Sequence, residues 1–119
     1  MKIQRLIWAV CLMTSAAGCV SFGIRKSLVL PPDAVLLDVR RAEEHQVRSV
    51  KKAVLIPHVE IEARVADAIP CKSTPVYVFC RSGKRAGIAI ETMKKLGYTN
   101  LTNLGGVEDV IETVVGADE

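Results

Sequence analysis

The stretch at residues 74–96 constrains the fold more than any other part of this sequence. It opens with a run of apolar, β-branched and aromatic residues at 75–79, which is typical of a buried strand. It closes with apolar residues at helical spacing, and Lys94, Lys95 and Gly97 follow as residue types that end helices. The sequence therefore predicts a strand, a short loop and a helix in direct succession, which is the repeating unit of an α/β fold.

The loop between this strand and this helix begins with a cysteine and is rich in cations. Cys80 directly follows the strand, and the next five residues are Arg81, Ser82, Gly83, Lys84 and Arg85. Ligands bind at the carboxyl ends of parallel strands, where the N–H groups of such a loop favour an anion. The same field favours the thiolate form of a cysteine. The pattern therefore predicts a nucleophilic cysteine beside an anion cradle rather than a small buried apolar residue.

The rest of the chain alternates short apolar runs with amphipathic segments. Further strands are predicted at 34–37, 53–56 and 100–104, with a short edge strand or helical turn at 28–30. Helices are predicted at 41–47, 60–68 and 107–115. Arg40 and Glu44 stand four positions apart and are expected to be able to pair. The alternation predicts an α/β fold with a mainly parallel central sheet flanked by helices.

Composition excludes several other classes of protein. A chain of 119 residues supports one domain with one core. Its formal net charge of +3 is modest and is spread along the chain, so it gives no argument for nucleic-acid binding. The four cysteines contain no Cys-x-x-Cys pair and stand at no ligand spacing to the two histidines, so neither a metal nor a cofactor is predicted. A strand of about 17 Å separates Cys71 from Cys80, which is too far for a disulfide.

The first 18 residues have the pattern of a secretory signal peptide. Lys2 and Arg5 precede an apolar stretch at 6–17, and small residues then lead to Cys19. The apolar stretch is shorter than a membrane-spanning helix requires, although an uncleaved anchor is an alternative interpretation.

Two processing routes fit this signal. The residues before Cys19 resemble a bacterial lipoprotein box, so cleavage there would leave a lipid on its thiol; plain cleavage would release a soluble protein. Either route predicts an exported, periplasmic domain, which a lipid at Cys19 would attach to a membrane. Residues 19–27 would then form a tether, and residues 28–119 would form the folded domain.

Two groups of motifs in this domain resemble the rhodanese homology domain. The first group is at 36–40, 43–44 and 53–57, and the second is at 76–86, 96–98 and 104–106. The resemblance covers roughly residues 28–115 and is greatest to the small, exported, single-domain type. It implies a three-layer rhodanese-like fold. The chain departs from the family pattern at scaffold positions, namely at His45, Arg48, Ser49, Lys52 and Leu55.

The resemblance implies a thiosulfate-type sulfurtransferase with Cys80 as the sulfur carrier. It implies that backbone amides of residues 81–85 surround a persulfide and that Arg40 has a structural or anion-orienting role. The donor would be a small anion such as thiosulfate, and the acceptor would be a thiol or cyanide. Two alternatives of another class stay open: a carrier that holds a persulfide or an anion without turnover, and a stress-response interaction module.

Two quantities refine this hypothesis. Lowering a thiol pKa by ~2 units raises the thiolate fraction at pH 7 about 25-fold, but the accompanying loss of nucleophilicity cancels roughly 6- to 10-fold of that gain. Arg81, Lys84 and Arg85 are therefore expected mainly to bind the donor and to stabilise the leaving anion. Cysteine phosphatases place an arginine six positions after the cysteine, whereas Arg85 follows Cys80 by five, which disfavours phosphoryl chemistry.

Overall fold

The described part of the chain forms a sheet of four strands, all paired in parallel. The computed structural model describes residues 27–118, so the predicted signal peptide and all of the predicted tether except Ser27 lie outside the described residues. The strands are β1 (Val35–Asp38), β2 (Val54–Leu55), β3 (Val76–Cys80) and β4 (Leu101–Gly106), in the order β2-β1-β3-β4. The two central strands are therefore β1 and β3, and β3 carries Cys80 as its last residue.

Helices cover both faces of this sheet. They are α1 (Ala42–Val47), α2 (Ile61–Ala68), α3 (Lys84–Lys95) and α4 (Val107–Thr113), with a 3-10 turn at His58–Glu60 before α2. None of the helices within residues 27–118 has both the length and the apolar character needed to cross a membrane.

Side-chain alternation along the central strands divides the core in two. Leu37 and Val78 pack in the cluster that contains the buried residues of α2 and α3. Their neighbours Leu36 and Phe79 pack in a second cluster with α4. Because successive residues of a strand face opposite sides, each central strand supplies both clusters. The predicted three-layer α/β fold with a parallel sheet is confirmed.

Helix α3 forms the layer that supports the cysteine loop. Its buried residues are Ala86, Ala89, Ile90 and Met93, which lie at the spacing of one helical face. The helix ends just before Gly97, whose φ of 98° is in the left-handed region that glycine adopts without steric cost. The buried Tyr98 hydroxyl then donates to the Ile69 carbonyl oxygen at 2.5 Å, which ties this exit to the end of α2.

Several predicted boundaries differ from the structure. The strand expected at 53–56 is limited to Val54–Leu55, and the edge element expected at 28–30 is a single bridge between Leu28 and Val114. The last strand was expected to end at 104 but continues through Gly106. A register shift opposite Val78 and Phe79 lets the two extra residues keep pairing with β3.

One departure from the family pattern has a backbone consequence. Lys52, where the resemblance leads one to expect glycine, has a φ of 66°. A side chain in this left-handed conformation costs about 1–2 kcal/mol. This position lies in the turn before β2.

Candidate active site

The Cys80 thiol lies at the carboxyl edge of the sheet, next to the start of α3. Its side chain is fully buried. The backbone N–H of Gly83 donates to Cys80 Sγ at 2.9 Å. Gly83 is the N-cap of α3 and has a φ of 93°. The sulfur is therefore in contact with the end of a 12-residue helix where unpaired N–H groups and the positive end of the dipole are located.

Backbone dipoles make this thiol more acidic. Burial alone raises the pKa of the Cys80 thiol, but hydrogen bonds from the N–H groups of Ala86, Ser82, Gly83 and Arg85 outweigh it. The pKa therefore lies below its ordinary value. Neutral backbone groups fixed by the fold provide this effect without a neighbouring general base.

Glycines at the end of β4 let the cysteine loop approach the sheet. A Cβ atom on Gly106 would lie 2.5 Å from the carbonyl oxygen of Arg81. A Cβ atom on Gly83 would lie 3.1 Å from the Cα atom of Gly105. The loop geometry thus requires glycine, which has no side chain, at positions in two different parts of the chain.

Asn103 connects the same two segments with hydrogen bonds. Its Nδ2 donates to the carbonyl oxygen of Gly83 at 3.0 Å, and its Oδ1 accepts from the N–H of Gly105 at 2.9 Å. One amide side chain therefore holds the helix N-cap against the bulged end of β4. Sequence reasoning did not identify Asn103 as part of the site; the signal available was its position just before the paired glycines.

The Arg85 guanidinium is paired with a carboxylate and is therefore not free to bind an anion. Its Nη1 and Nη2 donate to the two carboxylate oxygens of Glu44 at 2.6 and 2.9 Å. These bonds, opposed by partial burial and aided by the N–H of Arg41, lower the pKa of Glu44 from 4.5 to about 2. The same bonds raise the pKa of Arg85. Arg81 and Lys84, in contrast, are exposed and form no ion pair within residues 27–118.

The expected pairing of Arg40 with Glu44 does not form, because each has another partner. Arg40 is buried, and its Nε and Nη2 donate to the Asp38 carboxylate at 3.0 and 2.7 Å. Residues two apart on an extended chain project to the same side, so this pair is local. Arg40 Nη2 also donates to the Arg48 carbonyl oxygen at 2.6 Å. These contacts favour the structural one of the two roles that the resemblance implied for Arg40.

Asp38 was not singled out from the sequence, although it holds this cluster together. Besides Arg40, it lies within hydrogen-bond distance of His45, whose Nδ1 is 3.0 Å from Asp38 Oδ2. His45 is one of the departures from the family pattern, and here it closes the open side of the buried carboxylate. Within residues 27–118 no group of three or more His, Cys, Asp or Glu side chains is arranged to hold a metal ion.

Cys71 lies near the other end of β3. Both thiols are free, and the expectation that they form no disulfide is confirmed. Cys71 is exposed, and its Sγ is 3.2 Å from the hydroxyl oxygen of Ser73. Hydrogen bonds from Ser73, chiefly from its side chain, lower the pKa of Cys71.

Comparison with known proteins identifies a family and relatives that match most of the described domain. The family model described as Rhodanese-like domain matches residues 26–113. Thiosulfate sulfurtransferase PspE of Escherichia coli is 39% identical over 74 residues, which cover 62% of this chain and 71% of the relative. YrkF of Bacillus subtilis is 35% identical over 69 residues, covering 58% of this chain and 36% of that protein.

The solved structures agree with this result. A structure titled rhodanese with anions from E. coli has a TM-score of 0.62 and 38% sequence identity. The match covers 64% of this chain and 89% of that one.

Proposed function

The chain belongs to the rhodanese-like domain family of sulfurtransferases, and on that premise we propose that it transfers sulfane sulfur from thiosulfate through a persulfide on Cys80. The observation that carries this proposal is the 2.9 Å hydrogen bond from the Gly83 N–H to Cys80 Sγ at the start of α3. It supports a thiolate nucleophile in a cradle of backbone donors.

The cycle consists of two displacements. In the first, the Cys80 thiolate attacks the outer sulfur of thiosulfate, the S–S bond of the donor breaks, and sulfite leaves with the bonding electron pair. In the second, an acceptor nucleophile attacks the outer sulfur of the persulfide, and Cys80 leaves as a thiolate. The backbone N–H groups that stabilise the thiolate before the first step can stabilise it again as the leaving group of the second.

The exposed cations suit the donor. Arg81 and Lys84 stand on either side of Ser82 and Gly83 and would attract a dianion to the loop. Arg85 is paired with Glu44, so its contribution to donor binding would be smaller than its charge suggests. The solved relative whose title mentions anions supports an anionic ligand, and the name of PspE supports thiosulfate as the donor.

The compartment and the acceptor belong to the same proposal. The signal-peptide pattern in residues 1–18 supports export to the periplasm, with lipidation of Cys19 or plain cleavage as the two routes. The acceptor is a thiol, with cyanide as a laboratory substitute, and the cycle uses no cofactor.

Intact-protein mass spectrometry of the full chain tests the proposal. Thiosulfate should add the mass of one sulfur atom, and cyanide should remove it with continued turnover. Cys80→Ser should show no addition, whereas Cys71→Ser should load normally. If a folded, reduced protein gains no sulfur, the enzymatic function is wrong. Loading without turnover would assign the carrier function instead.

A further inference from the structure

A shallow groove lies at the amino edge of the sheet, away from the cysteine loop. Pro31 and Pro32, which lead into β1, line it together with Lys51 and Lys52, which lead into β2. Because all four strands are parallel, their amino ends share one edge, whereas Cys80 ends β3 at the other edge. The groove is therefore separate from the candidate active site.

Two apolar side chains of the groove protrude into solvent. Val29 is 72% exposed and Val115 is 58% exposed, and both line the groove. The groove has a volume of about 280 Å³, slightly below the usual range of pockets that bury a small molecule. Protruding apolar residues around a shallow groove suit a broad contact surface better than an enclosed ligand.

The charged side chains that line this groove are both positive. They are Lys51 and Lys52, and neither forms an ion pair with another residue of the described range 27–118. Asp33 and Asp118 are next to lining residues in the chain, but neither lines the groove itself. The groove therefore presents cations beside apolar groups, and it favours an anionic partner.

Lys52 adopts a backbone conformation that costs stability. It is exposed and has a φ of 66°, which glycine adopts without the steric penalty of a side chain. An outlier of this kind is grounds for a functional hypothesis. A second cation beside Lys51 is what this residue supplies and glycine cannot.

The described part of the chain begins at the same edge of the domain. The N–H of Leu28 donates to the carbonyl oxygen of Thr113 at 2.7 Å, and the N–H of Val115 donates to the carbonyl oxygen of Leu28 at 2.9 Å. Val29, the next residue, lines the groove. The predicted tether therefore joins the domain beside the groove.

The length of this tether limits how the domain can face a membrane. Ser27 follows Cys19 by eight positions, and an extended chain covers at most about 3.6 Å per residue, or roughly 29 Å in all. That is about the diameter of a small domain. A lipid on Cys19 would therefore favour orientations in which the groove faces the bilayer. Arg25 and Lys26 in the tether add two cations close to this edge.

We infer that this edge of the domain docks on an anionic lipid bilayer, with its lysines at the headgroups, its valines in the interfacial layer and Cys80 directed towards water. The inference rests on the proposed lipidation of Cys19, which supplies the first attachment, and it does not depend on the sulfur-transfer step. A few surface cations and apolar side chains bind a bilayer weakly by themselves. Their effect is to orient a domain that the lipid already holds.

The test measures which lysines the bilayer shields. The full chain is produced in a bacterial host, its mass is checked for a lipid on Cys19, and it is added to preformed vesicles. One set contains equal parts of phosphatidylglycerol and phosphatidylcholine, and the other contains phosphatidylcholine alone. A water-soluble amine-acylating reagent is applied to a low extent, and peptide mapping gives the rates at Lys51 and Lys84.

The ratio of the Lys51 rate to the Lys84 rate reports the orientation, because Lys84 is exposed at the start of α3, at the opposite edge. We expect this ratio to be about three- to tenfold lower on the anionic vesicles than on the neutral ones. Salt at 1 M should remove most of the difference, because it screens charges at the surface.

Two variants separate the docking contacts from folding. Lys52→Gly should unfold at a higher urea concentration, because the backbone strain is relieved, and yet reduce the difference between vesicles at least about twofold. Val29→Asp should reduce the difference to a similar extent. Val59→Asp is the matched control and should leave it unchanged, because Val59 is a 78% exposed valine in the 3-10 turn, outside the groove.

The outcomes separate this inference from the proposed sulfur transfer. Equal ratios on anionic and neutral vesicles, or an unchanged difference in either groove variant, would overturn the docking surface. A mature chain without a lipid on Cys19 would also overturn it, because the first attachment would be missing. Sulfur loading of Cys80 is measured separately by mass, so none of these results decides whether the persulfide mechanism is correct.

Discussion

Strand β3 has a free cysteine near each end, and the two thiols lie in opposite surroundings. Cys71 is exposed and is acidified mainly by the Ser73 side chain. Cys80 is buried and is acidified by backbone N–H groups at the start of α3. Both pKa values lie below the ordinary value, so acidity alone does not distinguish the two thiols.

The difference lies in what surrounds the sulfur. At the carboxyl end of β3 the chain enters a helix, so fixed donors and exposed cations gather around Cys80. At the amino end the chain enters from a turn, and a rotatable hydroxyl is the main partner of Cys71. A substrate anion can use the first arrangement but not the second.

Exchanging the two thiols for hydroxyls should give the largest contrast. Cys80→Ser should lower sulfur transfer from thiosulfate by at least about 10³-fold, because the covalent intermediate cannot form. Cys71→Ser should retain the wild-type rate. Thiocyanate production from thiosulfate and cyanide measures both. A large loss in Cys71→Ser would mean that the exposed thiol also carries sulfur.

Two left-handed glycines at opposite ends of α3 provide the next test. Gly83→Ala should reduce the loading rate by about tenfold or more, since its Cβ would meet Gly105 at 3.1 Å and displace the N–H that contacts Cys80. Gly97→Ala has the same backbone strain, with a φ of 98°, but no atom lies within 4 Å of the added carbon. It should lower stability by about 1 kcal/mol without changing the loading rate.

Equal loading rates in the two alanine variants would show that the position of the Gly83 N–H does not limit the reaction. The loading rates can be compared by mass spectrometry of samples quenched at successive times after the addition of one thiosulfate concentration.

Lowering the pH should destabilise the protein by protonating Glu44, the partner of Arg85 in the cysteine loop. Its pKa in the folded protein is about 2, below the value of 4.5 without partners, so its contribution to stability is complete above about pH 4.5. This contribution is lost as the pH falls through about 2. Glu44→Gln should therefore be less stable by about 1–2 kcal/mol at pH 7, and the difference should shrink between pH 4.5 and 2.

Urea unfolding at several pH values measures this difference. Glu62→Gln is the control, because Glu62 is an exposed helical acid without an ion pair in the described residues. A constant difference between wild type and Glu44→Gln over the whole pH range would contradict an ionised Glu44 as the partner of Arg85.

Alkylating agents should show the smallest contrast. Iodoacetate is an anion and iodoacetamide is neutral, so the ratio of their rates reports the local potential at a thiol. We expect this ratio to be about three- to tenfold higher at Cys80 than at Cys71, and to approach equality in 1 M salt, where screening is strong. Peptide mapping resolves the two sites. An equal ratio at low salt would show that Arg81 and Lys84 do not create a useful field.

The sequence predicted those parts of the molecule that local patterns encode. The alternation of strands and helices, the loop after Cys80 and its cations Arg81 and Lys84 follow from periodicity and residue type within short windows. The Glu44–Arg85 pair joins residues 41 positions apart, so no local pattern could identify it. For the same reason Arg85 was expected to be available to an anion.

Two other differences have physical reasons of the same kind. The last strand extends to Gly106 because a bulge preserves its pairing with β3, and a bulge depends on the neighbouring strand. Asn103 joins the N-cap of α3 only after β4 has paired, so its role is visible in tertiary structure alone.

The contacts of Asn103 and Gly106 with the cysteine loop have a consequence for the order of folding. β4 is the last strand in the chain, and parallel pairing with β3 cannot begin before the intervening helix has crossed the sheet. Until then the loop lacks the side chain that holds Gly83 and the surface that Arg81 rests on. A chain that is still emerging from synthesis would therefore carry Cys80 as an ordinary thiol, and its reactivity would arise late, when β4 and the residues after it have docked.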